Sequence, residues 1–367
     1  VLAQQQILQQ QMESEPLRFM MRELEPLLDT ARAALATFVG ADPQDLVFVP
    51  NATTGVNSVV RSLTFAPGDE LLTTSHAYNA CRNALEFVAQ RWGAKVVVAS
   101  IPFPIESSEM VMAAVLGTVS ERTKLVLLDH ITSPTGLIFP LEPLIAALSE
   151  QGIETLVDGA HAPGMVPLNL AQLGATYYTG NCHKWLCAPK GAAFLHVQRP
   201  RQLQIRPLTI SHGANTSRTD RSRFQLEFDW TGTQDPTPYL CVPTALTFMN
   251  SLLPQGWPAV MAQNHSLALQ ARQHLAQTLE QPLPCPAEMI GSIAAIPLPP
   301  EFGPYQGSAR GIDPLQDWLW EQHRIEVPII PWVEPAPKLI RISAQVYNDP
   351  QQYHTLATAL KQYRPKD

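Results

Sequence analysis

The sequence has no apolar run approaching the ~18 residues that a bilayer-spanning helix requires, so no membrane segment is expected. Its start, VLAQQQILQQQMESEP, lacks the basic region and apolar stretch of a secretory signal and reads instead as a helix. A first residue of Val leaves open where the natural chain begins. Positive charge is in deficit: 25 Lys and Arg against 32 Asp and Glu give a net charge of −7, with no basic stripe to neutralise phosphates. Nucleic acid is therefore not an expected partner. Cysteine is scarce as well. The five present, Cys81, Cys182, Cys187, Cys241 and Cys285, are odd in number and follow no short-spaced disulfide framework, which points to a reducing cytoplasm. Internal repeats are missing, and the only low-complexity tract is the run of glutamines at the start.

What is there is a globular balance: 367 residues, 45% hydrophobic and 16% charged, a length that suits a large domain with a smaller companion. From about residue 45 the pattern alternates. Short β-branched runs at 46–49, 71–73, 95–98, 125–128, 155–157 and 176–179 are separated by segments of helical period such as 56–63 and 141–148. This is the βα rhythm of a mostly parallel sheet covered by helices on both faces. Ligands of such sheets collect beyond the carboxyl ends of the strands. Asn51, Thr53 and Thr54, then Ser75 to Tyr78, Asp129 with His130, Asp158 to His161, and His183 with Lys184 all fall there. After residue 245 the rhythm breaks into Pro-rich pieces (282–286, 297–304, 328–337) around two helical stretches, which predicts a smaller α+β domain over 246–367.

Three segments carry chemistry. In NATTGVNSVV (51–60) a strand gives way to two threonines at the head of a helix, where free N–H groups and the helix dipole favour a phosphate; the same residues serve equally as an ordinary helix cap. In VDGAHAPG (157–164) a buried strand ends in an acid, with His161 three residues on. That carboxylate can keep a pyridine nitrogen protonated, or can simply cap the turn. In TGNCHKWLCAPKGAAFL (179–195) a lysine directly follows a histidine on a tight loop, as a Schiff-base lysine does. Lys190 reads as a surface charge. A zinc reading of Cys182, His183 and Cys187 lacks a second nearby pair of standard spacing.

Together, NATTGVN, VDGAHAPG and GNCHKWLCAPKG in this order resemble the class V aminotransferase superfamily of fold-type-I pyridoxal phosphate enzymes. MESEPLRFMMRELEPLL, LLDHITSPTGLIFP and DWTGTQDPTPYL narrow the resemblance to the branch named for isopenicillin N epimerase. The resemblance spans nearly the whole chain and is strongest over 10–245. It implies an α/β fold with a seven-stranded, mostly parallel sheet in a cofactor domain over 31–245, and an N-terminal helix (1–30) on the small domain. By matched position, Lys184 is the lysine that links the cofactor, Asp158 the partner of the pyridine nitrogen, and His161 the neighbour of the phenolic oxygen. Ala52, Thr53 and Thr54 match the phosphate loop, and Asn181 and His183 its polar ligands. Tyr78 matches the ring stacked on the cofactor, with His76 the alternative under a shift of two.

Thr233 matches a threonine that reaches the phosphate of a neighbouring subunit, which implies a homodimer with shared sites. Arg341, in LIRISAQVYND, matches the arginine that binds a substrate carboxylate, and His130 lies at the substrate side. No metal is implied. The departures are a missing nucleophilic cysteine after Cys285, which disfavours persulfide chemistry, and a glycine-bearing segment that relatives place before the first helix. The expected reaction is epimerase-like chemistry at the Cα of an amino acid, with C–S β-lyase or aminotransferase chemistry as the alternative and a catalytically silent relative as the non-enzymatic one.

Overall fold

The computed structural model of the protein describes residues 1–307, 311–332 and 336–365. Residues 333–335 of the last Pro-rich stretch fall outside the described residues. The chain divides into two units, the first formed by Val1–Ser100, Ala114–Ile131 and Pro140–Trp257, the second by Ile101–Ala113, Thr132–Phe139 and Pro258–Asp367.

The first unit is built on seven strands: β1 (Leu46–Val49), β2 (Glu70–Thr74), β3 (Lys95–Ala99), β4 (Thr123–Asp129), β5 (Glu154–Asp158), β6 (Tyr177–Asn181) and β7 (Ala193–Val197). Their order across the sheet is β1-β7-β6-β5-β4-β2-β3. Pairs from β3 through β6 are parallel, while β7 runs antiparallel to both β6 and β1. The mostly parallel seven-stranded sheet expected from the sequence is therefore present. Strands β1, β6 and β7 are buried at every residue, and β4 and β5 at all but one, which is why they read as continuous apolar runs.

Residues 2–14 form a helix that belongs to the first unit, where the sequence reading had set the N-terminal segment on the smaller domain. Gln5 Nε2 donates to Thr237 Oγ1 at 3.3 Å and Gln9 Nε2 to Asp235 Oδ2 at 2.9 Å. The smaller unit starts late in the chain, after Trp257, but also takes in two short insertions, 101–113 and 132–139, that sequence periodicity does not separate from the large domain.

The second unit holds an antiparallel sheet of β8 (Ile293–Pro297), β10 (Lys338–Ser343) and β9 (Ile329–Pro331), in that order. Lys338 and Asp313 pair at 3.1 Å within it, 2% and 0% exposed at the side chain. Asp313 also caps the helix Pro314–His323 through the Leu315 N–H. Removing one member of a buried pair strands the other charge, so Asp313→Ala is expected to cost about 3 kcal/mol, read as a lowered denaturant midpoint.

Candidate active site

Strand register sets the site. Asp129, Asp158 and Thr179 are lateral neighbours at the carboxyl ends of β4, β5 and β6, so polar side chains from three strands converge at one edge. Asp158 is 4% exposed. One carboxylate oxygen accepts the Ala160 N–H at 3.0 Å and the other the Cys81 thiol at 3.0 Å. Each oxygen has a second lone-pair direction, so a further N–H donor can still be taken. Burial, then the charge of Asp158, push the Cys81 thiol up, keeping it a neutral donor. The Asp129 carboxyl is likewise held well above the usual carboxylate range, first by burial and then by Asp158. Two adjacent buried carboxylates do not both ionise cheaply. The shift makes Asp129 the member of the pair that favours its protonated form.

Lys184 stands on the loop after β6, exposed, with Nζ 3.1 Å from His161 Nε2. Trp185 Nε1 donates to His161 Nδ1 at 3.3 Å. His130 Nδ1 lies 2.9 Å from the Tyr178 hydroxyl. Burial drops the His130 imidazole to about 4 and raises the Tyr178 phenol, so a neutral ring meets a protonated phenol. This bond spans the middle strand, since Tyr178 sits on β6 and His130 follows β4. Gly159 makes the crossing possible: a Cβ there would lie 2.2 Å from the Tyr178 ring.

The helix Ala52–Ser62 begins at the end of β1 and is capped by Asn51, whose Oδ1 accepts from Thr54 N at 2.8 Å and Thr54 Oγ1 at 3.1 Å. Asn181 Oδ1 takes the Ala52 N–H at 2.8 Å. Three of the residues expected at a phosphate, Ala52, Thr54 and Asn181, thus tie the helix start to β6 and to its own cap. The Thr53 N–H and hydroxyl take part in neither bond. His183 Nδ1 is buried with no hydrogen-bond partner among the described residues.

Of the two candidate stacking rings, Tyr78 is 45% exposed and His76 is fully buried. Thr233 is exposed on the segment after the helix Arg223–Phe228, in the first unit. Arg341 lies on β10 of the second unit, where its Nη1 donates to the backbone oxygen of Ser133 and to Ser133 Oγ, the latter at 3.1 Å. It lines a cavity of about 460 Å³ with Arg324, Tyr347, Asn348 and Gln352. Cys285 is buried and bonded to Arg272. Among the described residues no three His, Cys, Asp or Glu side chains gather as a metal site, and no helix is long and apolar enough to cross a membrane.

Pyridoxal phosphate needs an amine for its aldehyde, an anion for its pyridine nitrogen and donors for its phosphate. The first unit offers an accessible Lys184, a buried Asp158 with spare acceptor capacity, an unspent Thr53 and an orphaned His183 nitrogen. The residues fit the group. Sequence reading missed Cys81, Tyr178 and Trp185. Cys81, three residues beyond Tyr78 on the inward face of a helix, was visible by helical spacing; the other two depend on which strands become neighbours.

Known proteins resemble the chain over most of its length. Residues 8–298 match the family described as aminotransferase class V. The chain is 35% identical to an isopenicillin N epimerase of Amycolatopsis lactamdurans over 96% of its own length and 88% of that protein's. It is 30% identical to a probable chloroplastic L-cysteine desulfhydrase of Arabidopsis thaliana over 98% of its length and 79% of the relative's. The solved complex of the cystine C-S lyase C-DES with cysteine persulfide shares the fold, with a TM-score of 0.80 at 22% identity, covering 99% of this chain and 94% of that one. On this match of sequence over nearly its full length, the chain belongs to the class V aminotransferase family and is a pyridoxal phosphate-dependent enzyme.

Proposed function

We propose that the enzyme moves a proton at the Cα of an amino acid or an amino-acid-containing substrate, in an epimerase-like reaction, with Lys184 as the residue that links the cofactor and carries the proton. The observation that carries this reading is the Lys184 amine 3.1 Å from His161 at the same strand edge as Asp158, in a chain 35% identical to an isopenicillin N epimerase. Pyridoxal phosphate, when bound, draws the electrons of a breaking Cα bond into its ring. Asp158 holds the pyridine nitrogen protonated, and Cys81 with the Ala160 N–H holds Asp158 in place. Thr53, helped by Thr54, Ala52, Asn181 and His183, anchors the phosphate; Tyr78 covers the ring; His161 faces the phenolic oxygen.

Lys184, freed from the cofactor by the incoming amine, takes the Cα proton as general base. Arg341 is the proposed partner of the substrate carboxylate, because a guanidinium fork fixes orientation as well as charge. His130 and Tyr78 are the candidate donors for the second face. The same reading includes a homodimer in which Thr233 reaches the phosphate of the partner subunit, and a cytoplasmic location.

A second reading, β-elimination from a sulfur-bearing amino acid, is favoured by the 30% identity to a probable L-cysteine desulfhydrase. Both share the first proton transfer. Incubation of cofactor-loaded enzyme with a panel of L-amino acids in deuterated water separates them. Deuterium at Cα with loss of chirality is expected; pyruvate and sulfide released from cysteine, without racemisation, would replace the first reading by the second. A pyridoxamine form with free keto acid would mark a transaminase and refute both.

A further inference from the structure

Beside Lys184 lies a chain of two contacts whose hydrogen count has only one solution. The indole nitrogen of Trp185 can donate and cannot accept. Its bond to His161 Nδ1 therefore requires a lone pair on Nδ1. A neutral imidazole has one such nitrogen, so Nε2 must carry the hydrogen. That N–H faces Lys184 Nζ at 3.1 Å. An ammonium has three hydrogens and no lone pair, so this contact closes only when Lys184 is the free amine, accepting from His161.

We infer that Trp185 is a positioning residue that locks His161 as the Nε2–H tautomer and, through it, holds Lys184 as a free amine ready to capture the cofactor. The inference rests on the proposed role of Lys184. The lock is built by the fold. His161 is 8% exposed and Trp185 8% exposed, so neither ring turns freely. Gly164, at φ +86°, brings the turn after β5 against the Trp185 backbone, where a Cβ would lie 2.8 Å from the Trp185 carbonyl carbon. Only glycine combines that conformation with that approach. The turn carrying His161 and the loop carrying Trp185 and Lys184 are thereby fixed to each other.

Other charges oppose the effect. Lys184 interacts electrostatically with Asp129 from β4 and Cys81 from the helix Asn79–Trp92, while Asp158 ends β5 beside them; a carboxylate there favours an ammonium. Burial pushes the Asp129 carboxyl and the Cys81 thiol up, toward their uncharged forms. His183, on the lysine's own loop, is shifted down by burial against an upward pull from the Ala192 backbone, with smaller downward contributions from Lys190 and Lys184. A hydrogen bond donated to the amine lone pair stabilises the uncharged form and works against Asp158. Forming the C=N bond to the aldehyde expels its oxygen as water, which takes both amine hydrogens, so only the free amine can begin capture.

Two measurements test this. The first follows capture of pyridoxal phosphate by cofactor-stripped full-length protein, read as the rise of its visible absorption across about pH 6.5 to 9.5. The wild-type rate should vary little over this range. Trp185→Phe should slow capture about tenfold at pH 7 and make it climb with pH, as for a lysine returning toward its ordinary value. His161→Gln in the Trp185→Phe background should restore the flat profile, because an amide donates without a tautomer to choose. A Trp185→Phe profile equal to wild type would overturn the inference.

The second measurement is direct: the imidazole nitrogen spectrum of cofactor-stripped wild type, with the His161 signal assigned by its loss in His161→Gln. A protonated Nε2 and bare Nδ1 are expected, and a protonated Nδ1 overturns the lock even if the Trp185→Phe fold is damaged. Failure of the underlying reading shows differently, as an absorption band that survives Lys184→Ala.

Discussion

Lys184→Ala protein is expected to carry no borohydride-stable pyridoxyl label and to exchange the Cα proton of any substrate at least about 1000-fold more slowly than wild type. Two roles are lost together. The amine is the group that links the cofactor and also the group that moves the proton, and removing either alone would account for a large part of the effect. Because the Lys184 side chain is exposed, the cofactor-free variant should melt close to the cofactor-free wild type. Tryptic mapping of the reduced holoenzyme identifies the labelled lysine. Lys190 is the nearest competitor in the loop, being exposed with its Nζ 3.3 Å from the His183 carbonyl oxygen; a label there would transfer the chemistry away from residue 184.

Asp158→Asn should keep the fold and lose most of the activity, about 1000-fold in Cα exchange, with pyridoxal phosphate still bound. The amide oxygen can keep the Ala160 N–H while the NH2 turns to the Cys81 sulfur, which then accepts instead of donating, so the local geometry survives. What disappears is the negative charge that keeps a pyridine nitrogen cationic, and with it the stabilisation of charge developing in the ring. The neighbouring acid should report the change. Part of the upward shift of the Asp129 carboxyl comes from Asp158, and removing that charge lowers it toward the usual range, so Asp129 ionises at lower pH in the variant. Infrared difference spectra of the protonated carboxyl band against pH measure this. A variant within about tenfold of wild-type activity would mean that another group holds the pyridine nitrogen.

The central strands and the residues at their ends were legible because a covered parallel sheet writes itself as apolar runs, and because helix starts and polar side chains gather where those runs stop. Lys184 and Asp158 were singled out in that way, and motif order supplied the roles proposed for them. The partners that hold them were not legible. Cys81 meets Asp158 across 77 positions and Tyr178 meets His130 across 48, distances at which no periodicity speaks. Asn181 lies just before Lys184, and its side-chain oxygen takes the Ala52 N–H because β6 ends against the start of that helix, which leaves its Nδ2 hydrogens as the donors for an anion. The insertion 132–139 reads as a continuation of the large domain, but its Leu137 bridges Ile290 and its Ser133 holds Arg341, both in the second unit.

Among the described residues strand β1 is paired to β7 alone, with Leu46 opposite His196, a separation of about 150 residues. As the chain leaves the ribosome, β1 emerges early and has no partner until β7 has been synthesised. Over that interval its Leu-Val-Phe-Val run is an unpaired, apolar edge of the kind that recruits other nascent chains. The helix Ala52–Ser62 that follows it inherits the delay, so the proposed phosphate anchor is assembled only after the loop bearing Lys184 has been made. Fragments ending before about residue 197 should therefore collect in inclusion bodies and not in the soluble fraction.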